Sequence, residues 1–366
     1  MSAPAPRDVE LRTYRVSVAP GLLDRVGEIA RERAPAHRYA VITDDQVGPL
    51  YGARVVRAVA EAADPLLVTI PAGEAQKTRD TWARVTDALL AAGLGRDSAV
   101  IALGGGVVGD LAGFVAATFM RGIPYVQVPT TLLAMVDASI GGKTGVDTAA
   151  GKNLVGAFHQ PAAVVADPEV LATLPIPHLR AGLAEMIKHG VIADAEYFRR
   201  IVDNLPRVLD PKRDAWLDLV AELVARSVEI KADVVTRDER EGGVRKTLNF
   251  GHTLGHAIEL CDNYRMLHGE AVGAGMVLES DLAERAGIAE RGTAARVRDA
   301  VAAAGLPTRR PPAHDAAQLL AATRRDKKAR AGVVEYALPR RVGAMACEER
   351  GWSCPVSDAL VLEVLR

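Results

Sequence analysis

The chain is short of most features that would mark a secreted, membrane-bound or nucleic-acid-binding protein. Cysteine occurs only three times in 366 residues, at Cys261, Cys347 and Cys354, an odd number with no C-x-x-C pair. Neither a thiolate zinc site nor a disulfide framework is indicated, so reduced thiols are expected. Neither sign of charge is in excess: 45 Lys and Arg against 46 Asp and Glu leave a net charge of -1. That gives no electrostatic case for a nucleic-acid or polyanion partner. Any cation that matters must be placed individually. No stretch approaches eighteen uninterrupted apolar residues, and the opening MSAPAPRDVELRTYRV lacks the apolar core of a secretory signal. A membrane partner is not expected, and the expected location is cytoplasmic. Internal repeats are missing, as are low-complexity tracts beyond a richness in alanine and arginine.

What is present is ordinary globular material, 49% apolar and 25% charged, in a chain too long for one small core. Its first half alternates β-branched runs with helical periods. YAVITDD (39–45), ADPLLVTIPAG (63–73) and DSAVIALGGG (97–106) read as strands, separated by GLLDRVGEIARERA and KTRDTWARVTDALLAAG, the latter closed by Gly93 as a C-cap. This is the βαβ rhythm of a parallel sheet covered by helices. Beyond about residue 177 strand signals almost vanish, and four long segments have helical period. The expectation is therefore an α/β domain over 1–176 and a mostly α-helical domain over 177–366, divided near the prolines of LPIPHL.

GGGVVGD (104–110) fits G-x-G-x-x-G through Gly104, Gly106 and Gly109, between a strand and a helix. Glycines there let a backbone approach a pyrophosphate at a helix N-terminus. A tight turn with no ligand fits the same residues. The nucleotide reading gains from Asp44, Glu74 and Lys77, which close the first two strands on the carboxyl edge where open α/β sheets bind ligands. However, the fingerprint follows the third strand rather than the first, and no ribose-binding acid stands twenty residues on. Next, YVQVPTTLLAMVDASIGGKTGVDTAAGKNLVGAFHQP (125–161) reads as a strand, a short helical segment, and a glycine-punctuated loop carrying Asp137, Lys143, Lys152 and Asn153. Lysines in such a loop suit phosphate or carboxylate, or simply solvent.

The densest chemistry lies between Lys231 and Met276. His252 and His256 stand four apart on a helical segment and share a face, and His268 follows in LHGEAV. Three of the chain's eight histidines here ask for a metal, although a single core histidine is usually structural. Upstream, Glu185 and Lys188 in GLAEMIKHG share a helix face among Ala, Gly, Leu, Met and Ile, so Glu185 reads as a buried acid that needs a cation or a metal.

In order and spacing, GGGVVGDLAGFVAATFMRG, VPTTLLAMVDASIGGKTGVDTAAGKNLVGAF, LAEMIKHG, DEREGGVRKTLNFGHTLGHAIE, HGEAVGAGM and RRDKK resemble the 3-dehydroquinate synthase family of sugar-phosphate cyclases over most of residues 39–343. The resemblance implies a nucleotide-binding α/β domain followed by a helical metal-binding domain, with NAD and a divalent metal, usually zinc and possibly cobalt. It implies conversion of 3-deoxy-D-arabino-heptulosonate 7-phosphate to 3-dehydroquinate with loss of phosphate, a step of the shikimate pathway toward aromatic amino acids. By analogy Glu185, His252 and His268 hold the metal, while His256 faces the substrate's phosphate. Asp44, Glu74, Lys77, Gly105, Gly106, Val107, Asp110, Thr130, Thr131, Leu133, Lys143, Lys152, Thr173 and Leu174 match dinucleotide contacts. Asp137, Lys143, Lys152, Asn153, Lys188, Lys231, Arg245, Asn249, His256 and Lys327 match substrate contacts. Arg121 matches a residue that reaches a neighbouring subunit, which implies a homodimer. Two other readings stay open: a sister cyclase of the amino-dehydroquinate, 2-deoxy-scyllo-inosose or valiolone type, and a dehydrogenase of the related iron-containing alcohol dehydrogenase group. The phosphate-binding lysines speak against the dehydrogenase.

Overall fold

The computed structural model describes residues 5–60, 64–324 and 334–366. Lys327 lies outside the described residues. The chain forms two compact units, Met1–Leu174 with Leu217–Val228, and Pro175–Trp216 with Glu229–Arg366. The units divide at 174/175, two residues before the expected 176/177, and the helical segment Leu217–Val228 groups with the first.

In the first unit the elements run β1 (Arg7–Glu10), β2 (Arg15–Val18), α1 (Val26–Arg33), β3 (Arg38–Asp44), α2 (Ala53–Ala60), β4 (Leu66–Ile70), α3 (Arg79–Ala91), β5 (Ser98–Gly104), α4 (Gly106–Thr118), β6 (Tyr125–Pro129), β7 (Lys143–Thr148), β8 (Gly151–Phe158) and β9 (Ala163–Ala166). Seven strands form one sheet in the order β1-β2-β9-β6-β5-β3-β4, parallel except for the β1–β2 pair. Every residue of β5 and β6 is buried, which is why these runs read as continuous apolar stretches without alternation. Helix α3 starts where the Thr78 hydroxyl accepts from Thr81 N at 3.1 Å and ends at Gly93, whose left-handed φ of 75° a side chain would resist. The expected C-cap is in place.

The strand order explains the misplaced fingerprint. Along β4-β3-β5-β6-β9 the chain first steps outward from β3 to β4, then returns to the other side of β3 for β5. The winding direction reverses between β3 and β5, and in such doubly wound sheets the ligand crevice lies at that reversal. Asp44 ends β3 and Gly104 ends β5, so the two sequence signals sit at the switch point. The fingerprint follows the third strand of the series because the third strand borders the reversal.

One expectation fails in this unit. Residues 143–158 are a β-hairpin, β7 against β8, and not a loop. Gly145 pairs with Gly156, and a Cβ on Gly156 would stand 2.1 Å from the Thr144 carbonyl oxygen. The glycines that suggested a loop are there because the two strands approach too closely for side chains.

The second unit comprises α5 (Ile176–Ala193), α6 (Ala195–Val208), the ends of α7 (Trp216–Arg237), α8 (His252–Cys261), α9 (His268–Arg285), α10 (Thr293–Ala303), α11 (Ala316–Thr323), four strands of two or three residues, β10 (Glu335–Tyr336), β11 (Pro339–Arg341), β12 (Ala344–Met345) and β13 (Cys354–Pro355), and α12 (Asp358–Leu365). Its core gathers Leu254, Ile258, Ala274, Leu282, Leu319 and Val361 from α8, α9, α11 and α12. The parallel-sheet unit followed by a helical one is the expected fold class.

The thiols differ from expectation. Cys347 and Cys354 form a disulfide, with Cα atoms 5.8 Å apart, of which Cys261 is not part. Cys347, Gly351 and Trp352 all adopt left-handed φ (60°, 66° and 58°), which folds the intervening residues back and brings two cysteines seven apart into bonding range. Nothing in that spacing announces such a reversal.

Candidate active site

Glu185, His252 and His268 come from three helices of the second unit, α5, α8 and α9, and one ligand atom from each lies within 4.8 Å of the others. Glu185 is wholly buried among α5 side chains, as the sequence pattern required. His252 Nε2 lies 3.6 Å and His268 Nε2 3.5 Å from its Oε1. Metal–ligand bonds of about 2.0–2.1 Å in a tetrahedron put ligand atoms about 3.3 Å apart, so this spacing is close to that of a filled site. Among the described residues neither Glu185 oxygen accepts a hydrogen bond of good geometry, although the Lys188 ammonium stands against Oε2. A buried carboxylate with such sparse donors, two imidazole nitrogens on its other side, and three protein donors among the described residues fits a divalent metal in a catalytic setting.

The far nitrogens of both rings are also held. His252 Nδ1 stands 3.1 Å from the Phe250 carbonyl oxygen, which fixes the proton there and turns the Nε2 lone pair toward Glu185. His268 Nδ1 stands 3.3 Å from Glu259 Oε1. The sequence reading passed over Glu259, yet it lies seven residues beyond His252 and three beyond His256, on the same helical face, and that spacing was a usable signal. The electrostatics follow from these neighbours. Burial pushes the Glu185 carboxyl up, but Lys188 and His252 overcome that and hold it well below the usual carboxylate range. Burial and the Lys188 charge hold His252 well below the ordinary histidine value. Burial also opposes charge on His268, but Glu259 and Glu185 outweigh it and raise this group to about 10.

His256 is not one of the inner three, although its ring centroid is 5.3 Å from that of His252 and 6.0 Å from that of His268. It can also group with Glu259 and His268, but Glu259 is already engaged by His268 Nδ1. Arg245 is buried and donates through Nη1 to the Glu239 carbonyl. The turn that presents it is tied down by Asp238, whose carboxylate accepts from Gly242 N (2.9 Å), Gly243 N (2.7 Å) and Arg245 N (3.0 Å). On the same turn Asn249 Nδ2 donates to Glu241 Oε1 at 2.7 Å, and Lys246 Nζ donates to Ser353 Oγ at 3.1 Å, inside the disulfide loop. Lys231 is buried on α7.

In the first unit, Gly105 is the N-cap of α4, Gly106 and Val107 open the helix, and no side chain caps it. A Cβ on Gly109 would stand 2.7 Å from Gln127 Oε1, so the third glycine serves helix–sheet contact. Lys77 is buried and donates to Asp110 Oδ2 at 2.5 Å and Asn153 Oδ1 at 2.6 Å. Burial works against its charge, but Asp110 and Glu74 more than offset it and the group titrates above the ordinary lysine. Asn153, expected among substrate contacts, is thus joined to residues expected around the dinucleotide. Lys152 Nζ is 3.5 Å from Glu74 Oε1. Asp44 Oδ1 accepts from Gln46 N and Val47 N at 3.0 and 2.8 Å, closing the turn after β3. Thr130 is buried in the loop after β6, where Thr131 Oγ1 accepts from Ala134 N at 3.1 Å, one residue past Leu133. Asp137 lies in the irregular turn before β7, and Lys143 begins that strand, exposed. Thr173 Oγ1 lies 2.6 Å from the Tyr51 hydroxyl, next to Leu174. Arg121 is exposed, in a left-handed conformation with φ 71°.

Two family models match in succession: 3-dehydroquinate synthase N-terminal over residues 67–181 and 3-dehydroquinate synthase C-terminal over residues 182–329. The chain belongs to the 3-dehydroquinate synthase family. A 3-dehydroquinate synthase of Symbiobacterium thermophilum is 49% identical over 336 residues, covering 90% of this chain and 92% of that protein. Among solved structures, a 2-epi-5-epi-valiolone synthase from Streptomyces hygroscopicus subsp. jinggangensis 5008 with NAD+ and Zn2+ bound is 30% identical, with TM-score 0.86 over 100% of this chain and 98% of that one. A 2-deoxy-scyllo-inosose synthase complexed with carbaglucose-6-phosphate, NAD+ and Co2+ is 25% identical, with TM-score 0.87 over 98% and 99%. Each of these two solved structures carries both a dinucleotide and a divalent metal.

Proposed function

We propose that this member of the 3-dehydroquinate synthase family converts 3-deoxy-D-arabino-heptulosonate 7-phosphate into 3-dehydroquinate and phosphate. The observation that carries the reading is the convergence of Glu185, His252 and His268 in a chain whose relatives named 3-dehydroquinate synthase approach half identity. Glu185, His252 and His268 hold a divalent metal, zinc or cobalt, which when bound orients the substrate hydroxyls and polarises the alcohol to be oxidised. The first unit would hold NAD at the α4 N-terminus, with Asp44, Glu74, Lys77 and Asp110 around it, and NAD bound there would supply reversible hydride-acceptor chemistry.

The remaining tasks fall to the chain itself. Arg245, with Lys231, takes the substrate carboxylate, since a planar guanidinium can meet it through two parallel charge-assisted hydrogen bonds. Asp238 keeps the backbone of that turn in place, so the cation is aimed before substrate arrives. Lys188 neutralises Glu185 and stands beside the metal ligands, where it can meet a substrate oxygen. His256, next to but not among the ligands, meets the phosphate, and the departing phosphate can accept the proton lost in elimination. The protein then works mainly by orientation and charge placement. A homodimer, with Arg121 reaching the partner, and a cytoplasmic place in aromatic biosynthesis complete the proposal; among the described residues no helix is long and apolar enough to cross a membrane.

The carboxylate separates this reading from the sister cyclases. Phosphate release from the seven-carbon keto-acid phosphate, and not from glucose 6-phosphate or sedoheptulose 7-phosphate, is the expected result. Efficient release from either plain sugar phosphate would move the protein to the inosose or valiolone type.

A further inference from the structure

Helix α8 carries two of the three clustered histidines but has no capping side chain of its own. Its N-cap is Gly251, with φ 79° and no side-chain acceptor. The first turn of any helix leaves N–H groups without intrahelical partners, and a buried start must find acceptors for them elsewhere. Here they come from the neighbouring helix. Glu279 of α9 is wholly buried, and its Oε2 accepts from Gly251 N at 2.6 Å while its Oε1 accepts from Leu254 N at 2.9 Å. The carboxylate spans the first turn and engages it through both oxygens.

The Gly251 N–H belongs to the same peptide unit as the Phe250 carbonyl, and that carbonyl stands 3.1 Å from His252 Nδ1. One rigid peptide plane therefore joins Glu279 on one edge to the His252 ring on the other. A carboxylate on the N–H edge also polarises the carbonyl on the opposite edge, strengthening its hold on the imidazole. The backbones leave no slack to replace this contact: a Cβ on Gly275 of α9 would stand 2.0 Å from the Gly251 carbonyl oxygen. Helix α9 begins with His268, so the residue that fixes the start of α8 rides on the element that carries another ligand.

We propose that Glu279 is a positioning residue for the metal ligand His252, acting through the Phe250–Gly251 peptide. Partners of this kind are worth roughly 10–100-fold in metal affinity when they touch a ligand directly, and at one remove about tenfold is expected. The inference rests on the metal reading above. It is tested by titrating the full-length protein, stripped with a chelator, with Co2+ and following the visible d–d absorption. Parent, Glu279→Gln, Glu279→Ala and His252→Ala are compared, and thermal unfolding of each metal-free protein is recorded alongside.

In Glu279→Gln the shape is kept but an amide N–H faces one of the two backbone donors. Cobalt affinity should fall about tenfold or more with altered d–d bands, and further in Glu279→Ala. A capping role alone would lower the unfolding temperature and leave affinity and bands as in the parent, which would overturn the inference; Glu279→Gln decides the matter if the alanine variant does not fold. Absence of cobalt bands in the parent, or bands unchanged in His252→Ala, would instead bring down the metal reading itself.

Discussion

Glu259 meets His268 through the ring nitrogen that faces away from Glu185, with Oε1 3.3 Å from Nδ1. A carboxylate in that place fixes the tautomer and raises the basicity of the opposite nitrogen. Glu259→Gln is therefore expected to weaken zinc binding about 10–100-fold, read by competition against a chelating dye, while the fold is kept. Unchanged zinc affinity would show that the contact does not orient a ligand.

Lys188 and Glu185 are both buried, one helical turn apart. Removing one partner of such a pair leaves a desolvated charge and typically costs about 3–5 kcal/mol. In Lys188→Met the loss should be close to that in metal-free protein and smaller in zinc-loaded protein, where the metal supplies the missing positive charge. Urea unfolding with and without zinc measures both. An equal loss in the two states would mean that Glu185 does not face the metal.

Much of this was readable from residue order because the chemistry is local. His252, His256 and Glu259 share one face of one short helix, and Glu185 declared itself as an acid among apolar neighbours. The β5–α4 glycine turn was equally plain. Its position after the third strand made sense only with the strand order, because a switch point is a property of sheet topology. What stayed hidden depends on pairings between distant segments. Glycines at 145 and 156 signal a loop until they are seen to face each other across β7 and β8. Glu279 looks like any helix glutamate until Gly251 arrives against it, and Cys347 meets Cys354 only because three left-handed residues reverse the chain.

Arg245 is buried on a turn that Asp238 holds through three backbone amides. If it binds the substrate carboxylate, truncation removes one partner of a desolvated charge pair, worth ~2–5 kcal/mol. At ~1.4 kcal/mol per decade, Arg245→Ala should lose about a hundredfold or more in kcat/KM. Binding of NAD and zinc, measured by fluorescence and metal content, should be unaffected. A variant as active as the parent would remove Arg245 from the site.

Metal dependence has its own signature. Chelation should abolish turnover, and zinc or cobalt should restore it, while His268→Ala should retain neither metal nor activity. Full activity in His268→Ala without bound metal would contradict the assignment of Glu185, His252 and His268.

The most direct measurement of the central claim is the stoichiometry of one reaction mixture containing protein, zinc, the heptulosonate phosphate and NAD far below substrate. The account predicts 3-dehydroquinate and phosphate in equal amounts, many turnovers per NAD, and no net absorbance at 340 nm, because the hydride returns within each cycle. NADH accumulating in step with product, or phosphate released without 3-dehydroquinate, would contradict it.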